Sequence, residues 1–295
     1  MRSSFYLDTN VYRHIVEQGQ LGLSELISKN KNRICLAAVT VLELIEDLYT
    51  CESEQAFHAR KRAAELARLI GGKRILPADG RFLTKKLFDP STQKAAESGK
   101  QAKKWLDVVV RYRSMNEIGQ PLPYSIGRAI LDVRDVAERL QKMRSAYVKM
   151  MDSYKGEILR KAGLTSQAIR GTIVSGPYAP AINTFFKSDD WKITYVKILA
   201  RAVGASPLSD IDALQFSKRV QIAREFSGTI LRQSLCDGYK YDQKANDAID
   251  EARLRYLCDD SLVFVTDDEK LRRKIPNSPV GRVINLQNLI TELSG

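Results

Sequence analysis

The sequence predicts an α/β fold, in which helices flank a parallel β-sheet and a large, mostly α-helical insertion interrupts the chain. Short apolar segments alternate with helical patterns at both ends of the 295-residue chain. Between about residues 90 and 235 the chain is rich in helix formers and has almost no strand signals. Acidic residues follow several predicted strands, and ligands of open parallel sheets bind at the carboxyl ends of the strands.

The N-terminal region alternates strands and helices. Its predicted elements are a strand at 5–7, helices at 11–18 and 21–30, a strand at 33–40, two helices within 41–72 and a strand at 73–79. Thr9 or Asn10 can cap the first helix. The segment RICLAAVT combines small and β-branched apolar residues, which is typical of a buried parallel strand. The pair Gly71-Gly72 ends the long helical region.

The C-terminal region repeats the alternation. Its predicted elements are a helix at 241–260, a strand at 261–266, a short helix within 267–276, a strand at 282–286 and a helix at 287–295. The strand SLVFVT is the clearest in the chain, and Pro276 ends the short helix after it. Residues 1–90 and 240–295 are therefore expected to form one discontinuous domain, and residues 91–239 a helical insertion or cap.

Composition excludes several classes of protein. No apolar run approaches the roughly 18 residues of a membrane span, and the apolar stretch near Arg2 is too short for a secretory signal. We therefore expect a cytoplasmic protein without membrane contact. The four cysteines form no CxxC pair and the two histidines lack zinc-ligand spacing, so we expect reduced, mostly buried thiols and no zinc site. The absence of a glycine-rich phosphate loop argues against nucleotide-driven machines.

Charge favours a polyanionic partner, with nucleic acid first, because the net charge is +12. Between Lys94 and Arg170 there are 16 Lys and Arg against 8 Asp and Glu. Such a mixture suits phosphate contacts and base stacking, although amphipathic helices with buried aromatics would give the same pattern. The interleaved aromatics are Trp105, Tyr112, Tyr124, Tyr147 and Tyr154, and the candidate nucleic-acid-binding residues are Lys100, Lys103, Lys104, Arg111 and Arg113.

Six acids lie where predicted strands end or helices begin: Asp8, Glu43, Asp247, Asp250, Asp267 and Asp268. Glu43 is expected in the first turn of the helix that follows the second strand. If they converge on one edge of the sheet, they repel one another unless cations compensate. Hard oxygen ligands select Mg²⁺ or Mn²⁺, which can activate a water for phosphodiester hydrolysis. Each acid also has an ordinary structural explanation, as a helix cap, a partner of the helix dipole or a surface acid paired with Lys or Arg.

Four segments resemble, in order, the motifs of PIN-domain ribonucleases: LDTN (7–10), TVLEL (40–44), NDAID (246–250) and FVTDDEKL (264–271). The resemblance implies a PIN-like parallel sheet over about half of the chain. It also implies that Asp8, Glu43, Asp250 and Asp268 are the catalytic metal ligands. Because Asp8 and Asp268 would share one site, the strand before Asp8 is expected to lie beside the strand that ends at Thr266. Asp247 is an alternative or additional ligand. Asn10, Thr266 and Asp267 are expected to support these ligands.

The first functional interpretation is an Mg²⁺- or Mn²⁺-dependent endoribonuclease that cleaves RNA through a metal-activated water. Family members often act as toxins or defence nucleases, which implies RNA as substrate and a neutralising antitoxin or other protein partner. PIN domains often dimerise, so a homodimer is also implied. One alternative is a PIN fold that binds RNA or a partner without cleaving. The other is a haloacid-dehalogenase-like phosphatase, but that class needs a second aspartate where this chain has Asn10.

The basic region yields a first testable prediction. Reversing several of the charges at Lys100, Lys103, Lys104, Arg111 and Arg113 is expected to weaken nucleic-acid binding and to flatten its salt dependence, because fewer counterions are released. Binding titrations over a range of salt concentrations measure both quantities. Unchanged affinity and an unchanged salt slope would mean that these charges form only a solvated face.

Overall fold

The computed structural model of the protein describes residues 3–17, 19, 21–71, 75–76, 80–90, 96–118, 133–164, 169–170, 173–174, 176–275, 279 and 281–295. Its strands are β1 (Ser4–Leu7), β2 (Ile34–Ala37), β3 (Ile75–Leu76), β4 (Ile169–Arg170), β5 (Ile173–Val174), β6 (Leu262–Val265) and β7 (Val283–Ile284). Five of them form an all-parallel sheet in the order β3-β2-β1-β6-β7, while β4 and β5 form a separate antiparallel pair. The predicted α/β class with a parallel sheet is confirmed.

The sheet joins the two ends of the chain through its central strand. β1 lies between β2 and β6, with Tyr6 opposite Cys35 on one side and Phe264 on the other. The rings of Tyr6 and Phe264 stack with their centroids 4.9 Å apart. Every residue of β1, β2 and β6 is buried, as expected for a sheet covered on both faces. The predicted pairing of the first strand with the strand before Thr266 is therefore confirmed.

Fourteen α-helices lie within the described residues. They are α1 (Thr9–Glu17), α2 (Leu21–Lys29), α3 (Ala38–Tyr49), α4 (Glu54–Gly71), α5 (Gly80–Phe88), α6 (Ala96–Val109), α7 (Val133–Lys161), α8 (Ala179–Lys187), α9 (Asp189–Ala202), α10 (Asp210–Arg219), α11 (Gln221–Cys236), α12 (Ala245–Leu254), α13 (Glu269–Arg273) and α14 (Leu286–Ser294). Short 3₁₀ helices at Tyr241–Gln243 and Arg255–Cys258 flank α12.

Several predicted boundaries were wrong. The strand predicted over 33–40 ends at Ala37, and residues 38–40 form the first turn of α3. The sequence pattern could not distinguish the end of the strand from the start of the helix. Residues 38–42 are all buried in α3, and a continuous run of core residues is also what a buried strand shows. Glu43 consequently lies in the second turn of α3 rather than the first. The single helix predicted over 241–260 is an α-helix with a 3₁₀ turn on each side.

Two elements were not predicted. Residues 80–88 form α5, which packs against α12 and the 3₁₀ turn that follows it. The pair β4–β5 lies in a region that gave almost no strand signal, and each of its strands has only two residues. Elements this short give no periodic pattern from which a sequence could predict them.

The helices between β3 and β6 pack onto the sheet domain beside its carboxyl edge. The 29-residue helix α7 contacts both α3 and α12, and α9 and α11 pack against α7 in turn. Four of the five aromatics noted in this region, Trp105, Tyr112, Tyr147 and Tyr154, are at most 5% exposed, so they belong to the core. The interpretation of these aromatics as core residues is therefore confirmed. Tyr124 lies outside the described residues.

Two other sequence expectations concern the membrane and the cysteines. Among the described residues, no helix is both long and apolar enough to cross a membrane. All four cysteines are free thiols: Cys35 and Cys258 are buried, whereas Cys51 and Cys236 are half-buried. The prediction of free thiols is confirmed, and the prediction that most are buried holds for only two of them.

The close contact between α4 and β2 yields a stability prediction. A Cβ at Gly71 would lie 2.6 Å from Leu36 Cβ, so Gly71→Ala is expected to lower the free energy of unfolding by about 1–3 kcal/mol through overpacking. Gly156, within α7, is the matched control, because a Cβ there meets no atom within 4 Å. Gly156→Ala is expected to raise stability by roughly 0.5–1 kcal/mol. Urea unfolding measures both, and equal effects of the two substitutions would contradict the prediction.

Candidate functional site

Asp8 lies at the carboxyl end of β1, beside the end of β6. The register that places Leu7 opposite Val265 brings Asp8 next to Thr266, whose hydroxyl donates to Asp8 Oδ2 at 2.7 Å. The same Thr266 oxygen accepts a hydrogen bond from the Asp268 amide at 3.1 Å. Asp8 is only 1% exposed. Its side chain therefore forms part of a buried polar cluster, and Thr266 orients it as expected.

Glu43 reaches the same edge from α3. Its Oε2 contacts the Thr9 hydroxyl, which follows Asp8 directly in the chain. One turn earlier, the hydroxyl of Thr40 donates to the carbonyl of Leu7 at 3.3 Å, which ties the start of α3 to the end of β1. Local packing at the end of β2 thus turns Glu43 towards the end of β1.

Arg253 of α12 lies at the meeting point of these acids and is 3% exposed. Its Nη1 is 2.9 Å from Asp8 Oδ1 and 3.4 Å from Asp250 Oδ1. Its Nη2 contacts Glu43 Oε2 and donates to the Thr9 hydroxyl at 2.9 Å. A single guanidinium group therefore pairs with three carboxylates from β1, α3 and α12.

The pairing compensates charge better than it satisfies hydrogen bonds. Asp8 Oδ1 and Arg253 Nε are buried side-chain atoms without a hydrogen-bond partner in the described part of the chain. The 2.9 Å contact between Asp8 Oδ1 and Arg253 is thus an ion pair in which the N–H does not point at the oxygen. Asp8 Oδ1 therefore has a counter-charge beside it but no aligned hydrogen-bond donor.

Asp250 carries a perturbed acidity. Burial raises the pKa of its carboxyl well above the usual range, and the nearby charge of Asp8 raises it further. Asp247 and Asp268 act in the same direction, while Lys274 opposes them. Because the fold favours the protonated form, the contribution of Asp250 to stability falls as pH rises from its ordinary pKa through the raised one. A carboxyl group in such surroundings is suited to a cationic ligand.

Asp247 is fully engaged by two other side chains. Its Oδ2 accepts from the Tyr239 hydroxyl at 2.7 Å, and its Oδ1 lies 2.6 Å from Lys274 Nζ. Asp247 is 2% exposed, and both of its oxygens already have a partner. In this structure Asp247 holds Lys274 in place.

The other predicted site residues, Asp268, Asp267 and Asn10, form no hydrogen bond or ion pair with Arg253 and have other hydrogen-bond partners among the described residues. Asp268 caps α13, with Oδ1 accepting from the amides of Lys270 at 2.7 Å and Leu271 at 3.1 Å, and it also lines the cleft described next. Asp267 Oδ1 accepts from the Leu286 amide at 2.9 Å, at the start of α14. Asn10 is exposed and accepts from Arg13 at 3.4 Å, so it contacts none of the acids in this structure.

A cleft of about 780 Å³ opens beside the acids. We call it the acidic cleft, and its charged lining residues are Asp237, Lys244, Asp247, Asp250, Asp268, Lys270 and Lys274. Asp250 therefore connects the buried Arg253 cluster to solvent. No three His, Cys, Asp or Glu side chains of the described residues are arranged as a ready metal site. The position where Asp8, Glu43 and Asp250 meet is taken by the guanidinium of Arg253.

The predicted nucleic-acid-binding residues lie away from this cleft. Lys103 and Lys104 are exposed on α6, which packs against α3, α4 and β3. Arg111 and Arg113 are exposed shortly after that helix. The side chain of Lys100 lies outside the described residues. None of the four described side chains lines the acidic cleft.

Sequence reasoning missed four residues of the site: Thr9, Tyr239, Arg253 and Lys274. Arg253 lies three residues after Asp250, a spacing that places two side chains on one helix face and could have indicated the pair. Thr9 directly follows the strand-end aspartate. Tyr239 and Lys274 gave no local signal, since their role depends on contacts with Asp247 that only the folded chain brings about.

Comparison with known proteins identifies no relative. No protein-family model matches the chain, and neither the curated proteins nor the solved structures include a significant match. The protein is thus an α/β protein with an all-parallel five-stranded sheet and a buried acid–arginine cluster at the carboxyl edge of that sheet.

The cluster yields a prediction for stability. Arg253→Met leaves three neighbouring carboxylates without their counter-charge, so it is expected to lower the free energy of unfolding at pH 7 by about 3–5 kcal/mol. Urea unfolding in EDTA measures the loss. Arg273→Met is the control, because the ion pair of Arg273 with Glu269 is largely exposed, with side chains 80% and 76% accessible. That control is expected to change stability by no more than about 0.5 kcal/mol.

A second substitution separates charge from packing. Adding Glu43→Gln to Arg253→Met removes one of the unpaired carboxylates and is expected to recover part of the lost stability. If the double variant were less stable than Arg253→Met, the loss would come from packing of the arginine rather than from its charge.

Proposed function

We propose that the protein is a divalent-metal-dependent endoribonuclease of PIN-like fold. Its metal ligands would be Asp8, Glu43 and Asp250, with Asp268 at the rim of the site. The observation that supports this proposal is the convergence of Asp8, Glu43 and Asp250 on one point, although Asp8 and Asp250 come from opposite ends of the chain. They converge at the carboxyl edge of a parallel sheet, where such folds bind ligands.

The donor chemistry fits a hard cation. All three side chains offer carboxylate oxygens, which Mg²⁺ and Mn²⁺ prefer, and Asp8 Oδ1 is buried without a hydrogen-bond partner among the described residues. When bound, the metal would supply charge neutralisation and an activated water for attack on a phosphodiester. In this proposal Thr266 keeps Asp8 in position, and Arg253 gives up its contacts with the three acids.

RNA is the proposed substrate, because the net charge of +12 favours a polyanion and the motifs at Asp8, Glu43, Asp250 and Asp268 resemble those of ribonucleases. That resemblance also suggests a growth-arresting or defence role, a neutralising protein partner and a homodimer. The role, the partner and the homodimer are parts of the proposal that rest on the resemblance alone. The chemistry proposed at the acidic cleft does not depend on them.

A second candidate function is RNA or partner binding without cleavage. Arg253 favours it, because its guanidinium already compensates the carboxylates that a metal would need. The two candidates differ in whether a divalent ion displaces Arg253 from the acids. A protein that keeps Arg253 in place would retain the basic surface but have no catalytic ion.

The following experiment tests the proposal. The protein is incubated with mixed-sequence single-stranded RNA and Mn²⁺, with and without EDTA. Cleavage that EDTA abolishes is expected, and Asp8→Asn is expected to reduce it by roughly 100-fold or more, since even residues supporting metal ligands contribute about 10–100-fold. Asp189→Asn is the control, because Asp189 is exposed on α9, where it pairs with nearby Lys192.

Two outcomes would contradict the nuclease. Tight RNA binding without cleavage in either Mg²⁺ or Mn²⁺ would favour the binding module. Cleavage that Asp8→Asn leaves unchanged would place any activity outside this site or outside this protein.

A further inference from the structure

A second cleft of about 510 Å³ adjoins the acidic cleft, and Gln243 and Lys244 line both of them. We call it the basic cleft. Its charged lining residues are Arg144, Lys149, Asp242 and Lys244. The two clefts therefore share a boundary at the 3₁₀ turn and the residue that precede α12. The helix α12 carries Asp250 and Arg253, so the basic cleft lies next to the site already described.

The cationic side chains of the basic cleft differ in how far neighbouring acids compensate their charge. Arg144 forms a two-pronged pair with Glu46, at 3.1 Å for each oxygen, so its charge is largely compensated. Lys149 and Lys244 are exposed, and neither forms an ion pair with a described residue. Asp242 is the one acid in the lining. The cleft consequently presents two unpaired ammonium groups on the approach to the acids.

Tyr147 of α7 also lines the basic cleft, but its hydroxyl is buried and lies near the acids Asp247, Glu251 and Asp250. A ligand in the cleft therefore meets the ammonium groups of Lys149 and Lys244 rather than this hydroxyl. Negative charges repeated along a chain match two such groups, and the phosphates of a nucleic-acid backbone are charges of this kind.

We propose that the basic cleft binds the sugar-phosphate backbone of single-stranded RNA, with Lys149 and Lys244 on its phosphates. The backbone then leads across the shared boundary to the acidic cleft. The choice of RNA rests on the proposed nuclease function. The geometry does not depend on it. The aromatics that line the basic cleft, Tyr147 and Tyr241, are buried, so they offer no exposed ring faces for base stacking. Binding there is therefore independent of base sequence.

Lys274 lines the neighbouring acidic cleft, where its Nζ is held 2.6 Å from Asp247 and 3.5 Å from the Tyr239 hydroxyl. Lys274 thus extends the cationic path from Lys149 and Lys244 to the edge of the acids.

The test measures binding without cleavage, by fluorescence anisotropy of a labelled 12-nucleotide mixed-sequence RNA in EDTA. Lys149→Gln/Lys244→Gln is expected to weaken binding at least tenfold and to reduce the salt slope by about 1.4, because each phosphate contact on a single strand contributes about 0.7. Lys187→Gln/Lys218→Gln is the control with the same charge change, since both lysines are exposed on α8 and α10 and line neither cleft. It is expected to leave both quantities nearly unchanged.

One further variant makes the test specific. Lys149→Arg/Lys244→Arg keeps the charge and is expected to keep the salt slope. Thermal unfolding verifies that every variant is folded.

Two results would overturn the inference. One is equal loss of affinity in Lys149→Gln/Lys244→Gln and in the control, which would mean that total charge alone drives binding. The other is displacement of the RNA by poly-glutamate at equal charge concentration, which would identify an acidic polypeptide as the ligand. Because no step needs a metal, a failed cleavage assay leaves this test intact.

Discussion

The guanidinium of Arg253, held between Asp8, Glu43 and Asp250, is the interaction on which the carboxyl edge of the sheet depends. Asp8 is buried and Glu43 and Asp250 are half-buried. Three carboxylates this close would repel one another without a cation, and each would have to take up a proton or reach solvent. The arginine allows β1, α3 and α12 to meet there. The insertion then packs over the same place, because α7 contacts both α3 and α12. The N-terminal strand β1, the C-terminal part of the chain and the helix α7 from its middle thus meet around the buried charge of Arg253.

This arrangement sets what the site can do. A divalent ion and Arg253 would use the same carboxylate oxygens, so they exclude each other. In the proposed nuclease the ion occupies these oxygens, whereas in the binding module Arg253 keeps them. The neighbouring pair of Lys274 and Asp247 is separate, because both oxygens of Asp247 are already engaged. Cationic side chains therefore reach the acids from two sides, from α12 within the core and from the solvent-facing clefts. A polyanion that approaches along the clefts meets cations before it meets the acids.

Much of the fold could be predicted because the sheet strands are local apolar segments. FYL and SLVFVT were recognisable, and their pairing followed from the rule that parallel strands share one carboxyl edge. Boundaries were harder, since residues 38–40 are buried in a helix and look the same as a buried strand. In the site, the acids at strand ends could be predicted for the same positional reason. Their partners could not, and Asn10, expected to support them, bonds to Arg13 instead.

The sequence by itself determined the alternation of strands and helices at both ends, the basic charge of the middle, and the positions of Asp8, Glu43, Asp250 and Asp268 at element ends. These are local properties, carried by a few consecutive residues. Only the tertiary structure decided that Arg253 compensates three acids, that Asp247 engages Lys274 and Tyr239, and that the aromatics of the insertion belong to the core. Most of those contacts join residues tens to hundreds of positions apart, and no local pattern encodes them.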